Sequence, residues 1–280
     1  MSSKSIATQI LEKAGIPVNS SEPWSIHIHN DRFWDRVISQ KQLGLAESYM
    51  DGWWDCDAID VMLTKLLSID VLDLLKPSPA LAFHATRSVL RNNQTKKRAA
   101  SNAKHHYNIG NDLYTRMLDS SMAYSCGYWK DATTLEQAQE AKFDLIARKL
   151  HLEPGMRILD IGSGWGGFLR YVTKKYKVSA VGISPADNQI SLAQIARASE
   201  KKFIIEDVHN FGPDYDKTLM QWHANINNVW DEIPEYDLRF RRMWNYYLLA
   251  SAAGFRAGDL QLIQNVFTRK AVRNTYQTAR

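Results

Sequence analysis

The sequence predicts an α/β fold organised around a parallel sheet, and three observations support this fold class. Residues 156–161 form a short apolar run that leads into a glycine-rich loop at 162–167 and then into a helical pattern at 168–175. A second apolar run, at 178–183, follows at the spacing of a right-handed strand–helix–strand unit. With 45% hydrophobic and 23% charged residues, the composition is that of a globular protein, which excludes a disordered or fibrous chain.

A separate, mostly helical N-terminal domain is predicted at residues 1–85. Its apolar residues recur mainly at helical spacing, and one alternating run at 25–29 predicts a short strand. Residues 86–100 are predicted to be a basic linker, and residues 101–280 are predicted to form the second domain, which contains the glycine-rich loop.

The charge distribution is compatible with an anionic partner. Thirty-five Lys and Arg residues against thirty Asp and Glu residues give a net charge of +5. Residues 87–104 contain six basic side chains and no acidic one, which allows a solvated linker, contact with anionic phospholipid or contact with nucleic acid. No nucleic-acid partner is expected, because no recognised binding motif accompanies the run. More basic residues follow towards the C-terminus: Arg239, Arg241, Arg242, Arg269, Lys270 and Arg273.

The cysteine content and the hydropathy indicate a cytoplasmic protein. Cys56 and Cys126 are the two cysteines of the chain, and their contexts offer neither a disulfide framework nor metal-ligand spacing, so no metal site is expected. No stretch approaches the roughly 18 apolar residues that span a bilayer. Any membrane contact is therefore expected to be peripheral, at the inner face of the membrane.

The glycine-rich loop predicts a ligand site that could take one of two cofactors. Gly162, Gly164 and Gly167 fit the dinucleotide pattern, but they also fit a loop that binds S-adenosylmethionine. Asp160 favours S-adenosylmethionine, because a carboxylate suits an ammonium or sulfonium group and repels a pyrophosphate. The second strand ends at Ser184, where a dinucleotide site would place an acid for the ribose. A purely structural glycine turn is the remaining alternative.

Four further segments give the chain a specific resemblance. They are residues 43–54 (LGLAESYMDGWW), 106–111 (HYNIGN), 124–129 (YSCGYW) and 206–212 (EDVHNFG). Together with the glycine-rich loop, they resemble the cyclopropane-fatty-acyl-phospholipid synthases and their mycolic-acid relatives. Those enzymes are class I S-adenosylmethionine-dependent methyltransferases with a Rossmann-like sheet.

The resemblance implies methylene transfer from S-adenosylmethionine to the cis double bond of an unsaturated phospholipid acyl chain. The sulfonium methyl group is already electrophilic, so the protein mainly has to align it with the alkene and exclude water. Methylation leaves a carbocation, which aromatic faces can stabilise. A base then removes a proton so that the ring closes, and in this family the base is thought to be a bound bicarbonate ion. A homodimer is left open.

The resemblance also assigns residues. The implied cofactor contacts are Tyr107, Tyr124, Ser125, Asp160, Gly162, Ser163, Gly164, Trp165, Gly166 and Gln189. Cys126 and Tyr215 match positions near the bicarbonate and the reacting bond, and His209 is a third catalytic candidate. Without the resemblance, Cys126 reads as a small buried hydrophobic residue, Tyr215 as a turn residue and His209 as a core histidine with satisfied hydrogen bonds.

The chain departs from the family in the length of one segment. Family members carry about a hundred residues between the second strand and the segment that begins at Phe203, enough for three strand–helix units. This chain has eighteen residues there, between Ser184 and Phe203. The sheet is therefore predicted to be incomplete, with an apolar edge left open. The glutamate and histidine that help to hold bicarbonate in relatives are lost with the block, which predicts little or no turnover. The alternative function is a shortened paralogue that keeps lipid or dimer contacts without catalysis.

Overall fold

A computed structural model describes residues 2–70, 111–183, 203–269 and 276–280 of the chain. Helices and strands are numbered here over these residues. The helices are α1 (Ser3–Lys13), α2 (Phe33–Met50), α3 (Ile59–Leu67), α4 (Asn111–Met117), α5 (Leu135–Lys149), α6 (Gly167–Tyr176), α7 (Gly212–Asn227) and α8 (Leu238–Ala257). The strands are β1 (His27–Ile28), β2 (Trp54–Asp55), β3 (Arg157–Ile161), β4 (Ser179–Ile183), β5 (Ile204–Asn210) and β6 (Ile263–Thr268).

The chain divides into two compact units. The first contains Met1–Gln94 and Val229–Leu260, and the second contains Thr95–Asn228 and Gln261–Arg280. The domain boundaries predicted from the sequence, at 85 and 101, lie outside the described residues. Residues 229–260 were predicted to belong to the second domain, whereas in the structure α8 packs against α2 and α3 of the first unit.

The first unit is mostly helical and has a dense aromatic core. Along α8, Trp244, Leu248 and Ala252 recur every four residues and are buried, so they form one continuous face of the helix. α2 contains one break, at Lys41, whose φ of 54° lies in the left-handed region. β1 and β2 form a short antiparallel pair.

Three arginines of α8 form ion pairs with acidic residues of the first unit. Arg239 pairs with Asp51 at 3.2 Å, and Arg241 lies 3.6 Å from Asp231. Arg242 pairs with Asp55 at 2.7 Å and also donates to the carbonyl oxygens of Tyr49 and Trp54. These three arginines, which the sequence analysis counted as lipid-facing charges, are thus bound within the unit itself.

The second unit contains the predicted strand–loop–helix–strand unit. β3, α6 and β4 form it, and β3 pairs with β4 in parallel, in register from Arg157 opposite Ser179 to Ile161 opposite Ile183. This confirms the predicted α/β class and the position of the glycine loop. On one side of this sheet, Ala147 of α5, Val172 of α6 and Val178 form a small buried cluster.

The sheet is small in the part of the chain that the structure describes. β3 has β4 as its one partner strand there, and β5 pairs with β6 in a separate antiparallel sheet. Parallel sheets are normally long and covered on both faces. The prediction of an incomplete sheet with an open apolar edge agrees with this arrangement. The shortened segment between Ser184 and Phe203 lies outside the described residues. None of the described helices is long and apolar enough to cross a bilayer.

Candidate functional site

The glycine loop is a tight turn at the end of β3 that leaves room for a ligand. Gly162, Gly164 and Gly166 have φ values of 91°, 50° and 76°, a conformation that favours glycine. The amides of Gly162 and Ser163 both donate to the carbonyl oxygen of Ile183, which fixes the loop to the end of β4. A Cβ added at Gly164 would meet no heavy atom within 4 Å. The loop is therefore open on the side where a ligand could approach the backbone.

Asp160 is a half-buried carboxylate in β3, two residues before that loop. Burial raises the pKa of its carboxyl group, and no donor or cation among the described residues accompanies it. A carboxylate without a partner in such a position suits a positively charged ligand. Together with the open loop, it fits the ammonium and sulfonium groups of S-adenosylmethionine.

Residues 119–126 lie against the glycine loop. The guanidinium of Arg170 donates to the carbonyl oxygen of Trp165 at 2.6 Å and to that of Ser121 at 3.1 Å. At Gly167 an added Cβ would lie 2.6 Å from the Ser121 oxygen, so this close approach requires glycine. A cavity of about 330 Å³ opens beside the loop. Its lining consists of Asn111, Thr115, Leu118, Asp119, Ser120, Met122 and Trp165.

An aromatic chain connects the glycine loop with the predicted catalytic tyrosine. Trp165 lies 5.2 Å from Tyr114, Tyr114 lies 5.1 Å from Tyr124, and Tyr124 lies 5.1 Å from Trp222, measured between ring centroids. Tyr215 lies 6.1 Å from Trp222. The structure therefore brings Tyr124, Trp165 and Tyr215, which lie far apart in the sequence, into one connected group.

Tyr114 and Trp222 were not among the predicted site residues, although the sequence carries a signal for both. On α7, Trp222 follows Tyr215 by seven residues, which places both on one face of a helix. Tyr114 belongs to a buried stripe on α4 with Leu113 and Met117. Amphipathic periodicity could have identified both residues as buried, but not as neighbours of the glycine loop.

Ser125 is an exposed residue with a buried cation behind it. Nζ of Lys142 donates to Oγ of Ser125 at 2.8 Å. Gln139 fixes the same stretch of backbone, because its side-chain amide donates to the carbonyl oxygens of Ala123 and Ser125. Both residues come from α5, whose N-terminus is set by a capping box between Thr134 and Gln137. Lys142 was not among the predicted site residues.

Cys126 is buried beside the first turns of α7. The amide of Gly127 and the indole of Trp129 both donate to Oγ1 of Thr218, and the amide of Trp129 donates to Asp214. These bonds tie the segment that contains Cys126 to the helix that carries Tyr215. Burial raises the pKa of the Cys126 thiol to about 12, so the thiol is protonated at neutral pH and cannot act as a base.

His209 makes its contacts within a different cluster. Its Nδ1 lies 3.1 Å from Nζ of Lys149, and Lys149 forms a buried ion pair with Asp207 at 2.8 Å. Burial, together with the charges of Lys149 and Arg280, lowers the pKa of His209 to about 4. These contacts favour the core-histidine interpretation of His209. Of the other predicted site residues, Tyr107 and Gln189 lie outside the described residues.

Comparison with known proteins gives a consistent family assignment. The family model of mycolic acid cyclopropane synthetase matches residues 94–198 and 189–265. The chain is 37% identical to the cyclopropane-fatty-acyl-phospholipid synthase of Escherichia coli K12 over 365 positions, covering 98% of this chain and 95% of that protein.

These matches also confirm the missing block. The alignment of 365 positions exceeds the 280 residues of this chain by 85, so the E. coli protein has residues that face a gap. The family match is split, and its two parts overlap at residues 189–198, within the shortened segment between Ser184 and Phe203.

Solved structures with the same fold are methyltransferases. The mycolic acid cyclopropane synthase CmaA1, in complex with SAH and CTAB, superposes with a TM-score of 0.53 at 20% identity, covering 61% of this chain and 98% of that one. Coclaurine N-methyltransferase, bound to N-methylheliamine and SAH, gives a TM-score of 0.59 at 15% identity, covering 81% and 99%. At these identities the likeness shows the fold alone.

Proposed function

Because this chain belongs to the cyclopropane-fatty-acyl-phospholipid synthase family, we propose that it transfers a methylene group from S-adenosylmethionine to the cis double bond of unsaturated phospholipid acyl chains. The observation that carries this proposal is the 37% identity to the E. coli synthase across nearly the full length of both proteins. The glycine loop and Asp160 agree with it, because they supply the open backbone and the carboxylate that the cofactor needs.

The residues that would hold the cofactor belong to the second unit. Asp160 would pair with a positive group of the cofactor, and the loop from Gly162 to Gly166 would accommodate the ligand against the backbone. Ser125 would contribute an exposed hydroxyl. When bound, the cofactor supplies an electrophilic methyl group on a sulfonium centre.

The aromatic chain suits the charge that develops on the acyl chain. Methyl transfer to an alkene leaves positive charge on carbon, and ring faces stabilise such charge where water is excluded. Tyr114, Tyr124, Trp222 and Tyr215 supply aromatic rings connected to the glycine loop. We propose that these rings line the path of the acyl chain.

The final step requires a base near the added methyl group. Bicarbonate is the proposed base, and the surroundings of Cys126 and Tyr215 are its proposed location. The Cys126 thiol is protonated and donates to the carbonyl oxygen of Gly127, so it cannot take the proton itself. The glutamate and histidine that support bicarbonate in relatives have no match in this sequence, so slow proton removal is expected, with a loss of about 10²–10⁴ in rate.

We propose that the protein binds peripherally to the cytoplasmic face of the membrane, which carries its phospholipid substrate. The support is the net charge of +5 and the basic run at 87–104, which lies outside the described residues. Arg239, Arg241 and Arg242 contribute less than their charges suggest, because acidic residues of their own unit neutralise them. Homodimer formation stays a prediction. None of the matches described above supports the alternative of a shortened paralogue without catalysis.

The test is incorporation of label from methyl-labelled S-adenosylmethionine into vesicles of unsaturated phospholipid, using protein whose mass has been verified. We expect slow formation of labelled cyclopropane acyl chains, dependent on bicarbonate, and no label in vesicles with saturated chains. The Asp160→Asn variant should lose the signal because it weakens cofactor binding. Binding of S-adenosylhomocysteine and of vesicles without any labelled product would contradict the proposal and favour the non-catalytic alternative.

A further inference from the structure

Lys142 is a buried cation without a counter-ion among the described residues. Its side chain is almost fully buried on α5, and its polar contacts are the hydroxyl of Ser125 and the side-chain carbonyl of Gln139. No carboxylate in the described part of the chain lies within ion-pair distance of it. Buried charges are normally paired, because an unpaired charge loses its hydration without compensation. The arrangement therefore leaves a positive charge that a bound anion would balance.

Ser125 connects the buried ammonium group of Lys142 with the protein surface through a hydrogen bond. Its oxygen accepts a hydrogen bond from Lys142, so its own hydrogen is available for donation, and no acceptor for that hydrogen is present among the residues described. The residue is exposed, whereas Lys142 lies behind it. A hydroxyl polarised by an ammonium group is a stronger donor than an isolated serine.

The geometry points to Lys142 as a positioning residue that, through the Ser125 hydroxyl, recognises a carboxylate-type anion in the cofactor site. Two sources of this chemistry are available if the proposed function holds: the carboxylate of S-adenosylmethionine and bicarbonate. Lys142 touches neither the reacting carbon nor the methyl group. Its role is to orient Ser125 and to supply the positive charge that the anion balances.

The groups around Lys142 determine whether anion affinity rises or falls with pH. Burial lowers the pKa of the Lys142 ammonium to about 8, while the charge of Asp119 and the neighbouring Cys126 thiol act in the opposite direction. The aromatic ring of Phe143 lies 4.8 Å from Nζ. A bound anion favours the protonated lysine and raises its pKa again. Anion affinity should therefore be highest below pH 8 and fall above it.

Calorimetric titration with S-adenosylhomocysteine, and separately with bicarbonate, tests the inference. We expect Lys142→Met to weaken one of the two ligands by about tenfold at pH 7. The control Arg148→Met removes one exposed positive charge from the same helix and should change affinity less than twofold. A loss confined to S-adenosylhomocysteine identifies the cofactor carboxylate as the anion, and a loss confined to bicarbonate identifies the base.

Two further measurements separate positioning from a structural role. Unmodified protein should take up protons on ligand binding at pH 8.5, seen as a dependence of the binding enthalpy on the ionisation enthalpy of the buffer, and Lys142→Met should take up fewer. The double variant Ser125→Ala with Lys142→Met should lose no more affinity than the weaker-binding single variant, because both residues act as one unit.

The inference is overturned if Lys142→Met binds every ligand that the unmodified protein binds, with the same affinity and the same proton uptake. Failure of the unmodified protein to bind S-adenosylhomocysteine would instead contradict the proposed cofactor, and the bicarbonate titration alone would then decide on Lys142. If bicarbonate also fails to bind, no anion is recognised and the inference is wrong.

Discussion

The two units differ in how completely their apolar residues are covered. In the first unit, Trp54, Trp244 and Met62 are buried and form one core shared by α2, α3 and α8. Among the described residues of the second unit, the β3–β4 sheet packs one face against the cluster of Ala147, Val172 and Val178. Its other face exposes Leu159, Ile161 and Val181 by 60%, 65% and 58%.

The difference follows from the missing block. The first unit is formed by two parts of the chain, and neither of them contains the missing block. Its helices α2, α3 and α8 therefore pack against one another. A parallel sheet needs layers on both faces, and the eighteen residues between Ser184 and Phe203 are too few to supply further strand–helix units. The loop at Gly162–Gly166 keeps its geometry because the bonds that fix it are local to β3, β4 and α6. A ligand loop can thus persist in a sheet that has lost its outer layer.

The largest expected effect is the contrast between two leucines. Leu248 of α8 is fully buried, whereas Leu159 of β3 is 60% exposed. Leu248→Ala should lower the free energy of unfolding by about 3 kcal/mol, and Leu159→Ala should change it by less than about 0.5 kcal/mol. Denaturant unfolding of both variants measures this. Equal losses would show that the outer face of the sheet is covered in solution.

Introducing a lysine on either face of the β3–β4 sheet tests the same comparison. Leu159→Lys should leave stability nearly unchanged and lower self-association, because it interrupts an exposed apolar patch. The control is Ile158→Lys, whose side chain packs against the cluster of Ala147, Val172 and Val178 and should unfold the sheet. Sedimentation velocity and circular dichroism give the two readouts. Dissociation of a stable dimer by Leu159→Lys would identify the outer face as a dimer interface.

The other sheet of the second unit should respond to acid. Hydrogen bonds from Arg280 and Lys149 outweigh burial and lower the pKa of Asp207 in β5 to about 2. Because the folded pKa lies below the unfolded value of 3.8, this carboxylate stabilises the fold above pH 4, and the stabilisation is lost as pH falls towards 2.

Asp207→Asn should therefore cost on the order of 2 kcal/mol at pH 7 and almost nothing at pH 2. Unfolding curves at both pH values measure the difference. Asp131→Asn, at an exposed position, is the control and should show no such change. A pH-independent cost for Asp207→Asn would mean that its ion pairs with Arg280 and Lys149 contribute no stability.

Local features of the fold were predictable from the sequence. The apolar run at 156–161, the glycines after it and the helical pattern at 168–175 predicted β3, the loop and α6, and the structure places all three there. The grouping of α8 with the first unit was not predictable, because its buried face is compatible with any apolar partner. For the same reason, the basic residues of α8 were predicted to contribute to binding of an anionic partner. Only the fold shows that Arg239 pairs with Asp51 and that Arg242 pairs with Asp55.

The site was predictable in its residues but not in its connections. The resemblance identified Tyr124, Ser125 and Tyr215 as separate positions. Their neighbours Tyr114 and Lys142 come from α4 and α5. The sequence does not indicate where these two helices pack in the fold. The burial of a lysine, in particular, runs against its usual exposure, so no composition or spacing rule predicts it.

The most direct test of this account is hydrogen–deuterium exchange of the whole protein with and without S-adenosylhomocysteine. The account predicts slow exchange in α8, faster exchange in β3 and β4, and slower exchange on ligand addition in β3 and in the loop from Gly162 to Gly166. Equal protection of β3 and α8 without ligand, or no change in the loop at saturating ligand, would contradict a retained cofactor loop in a half-covered sheet.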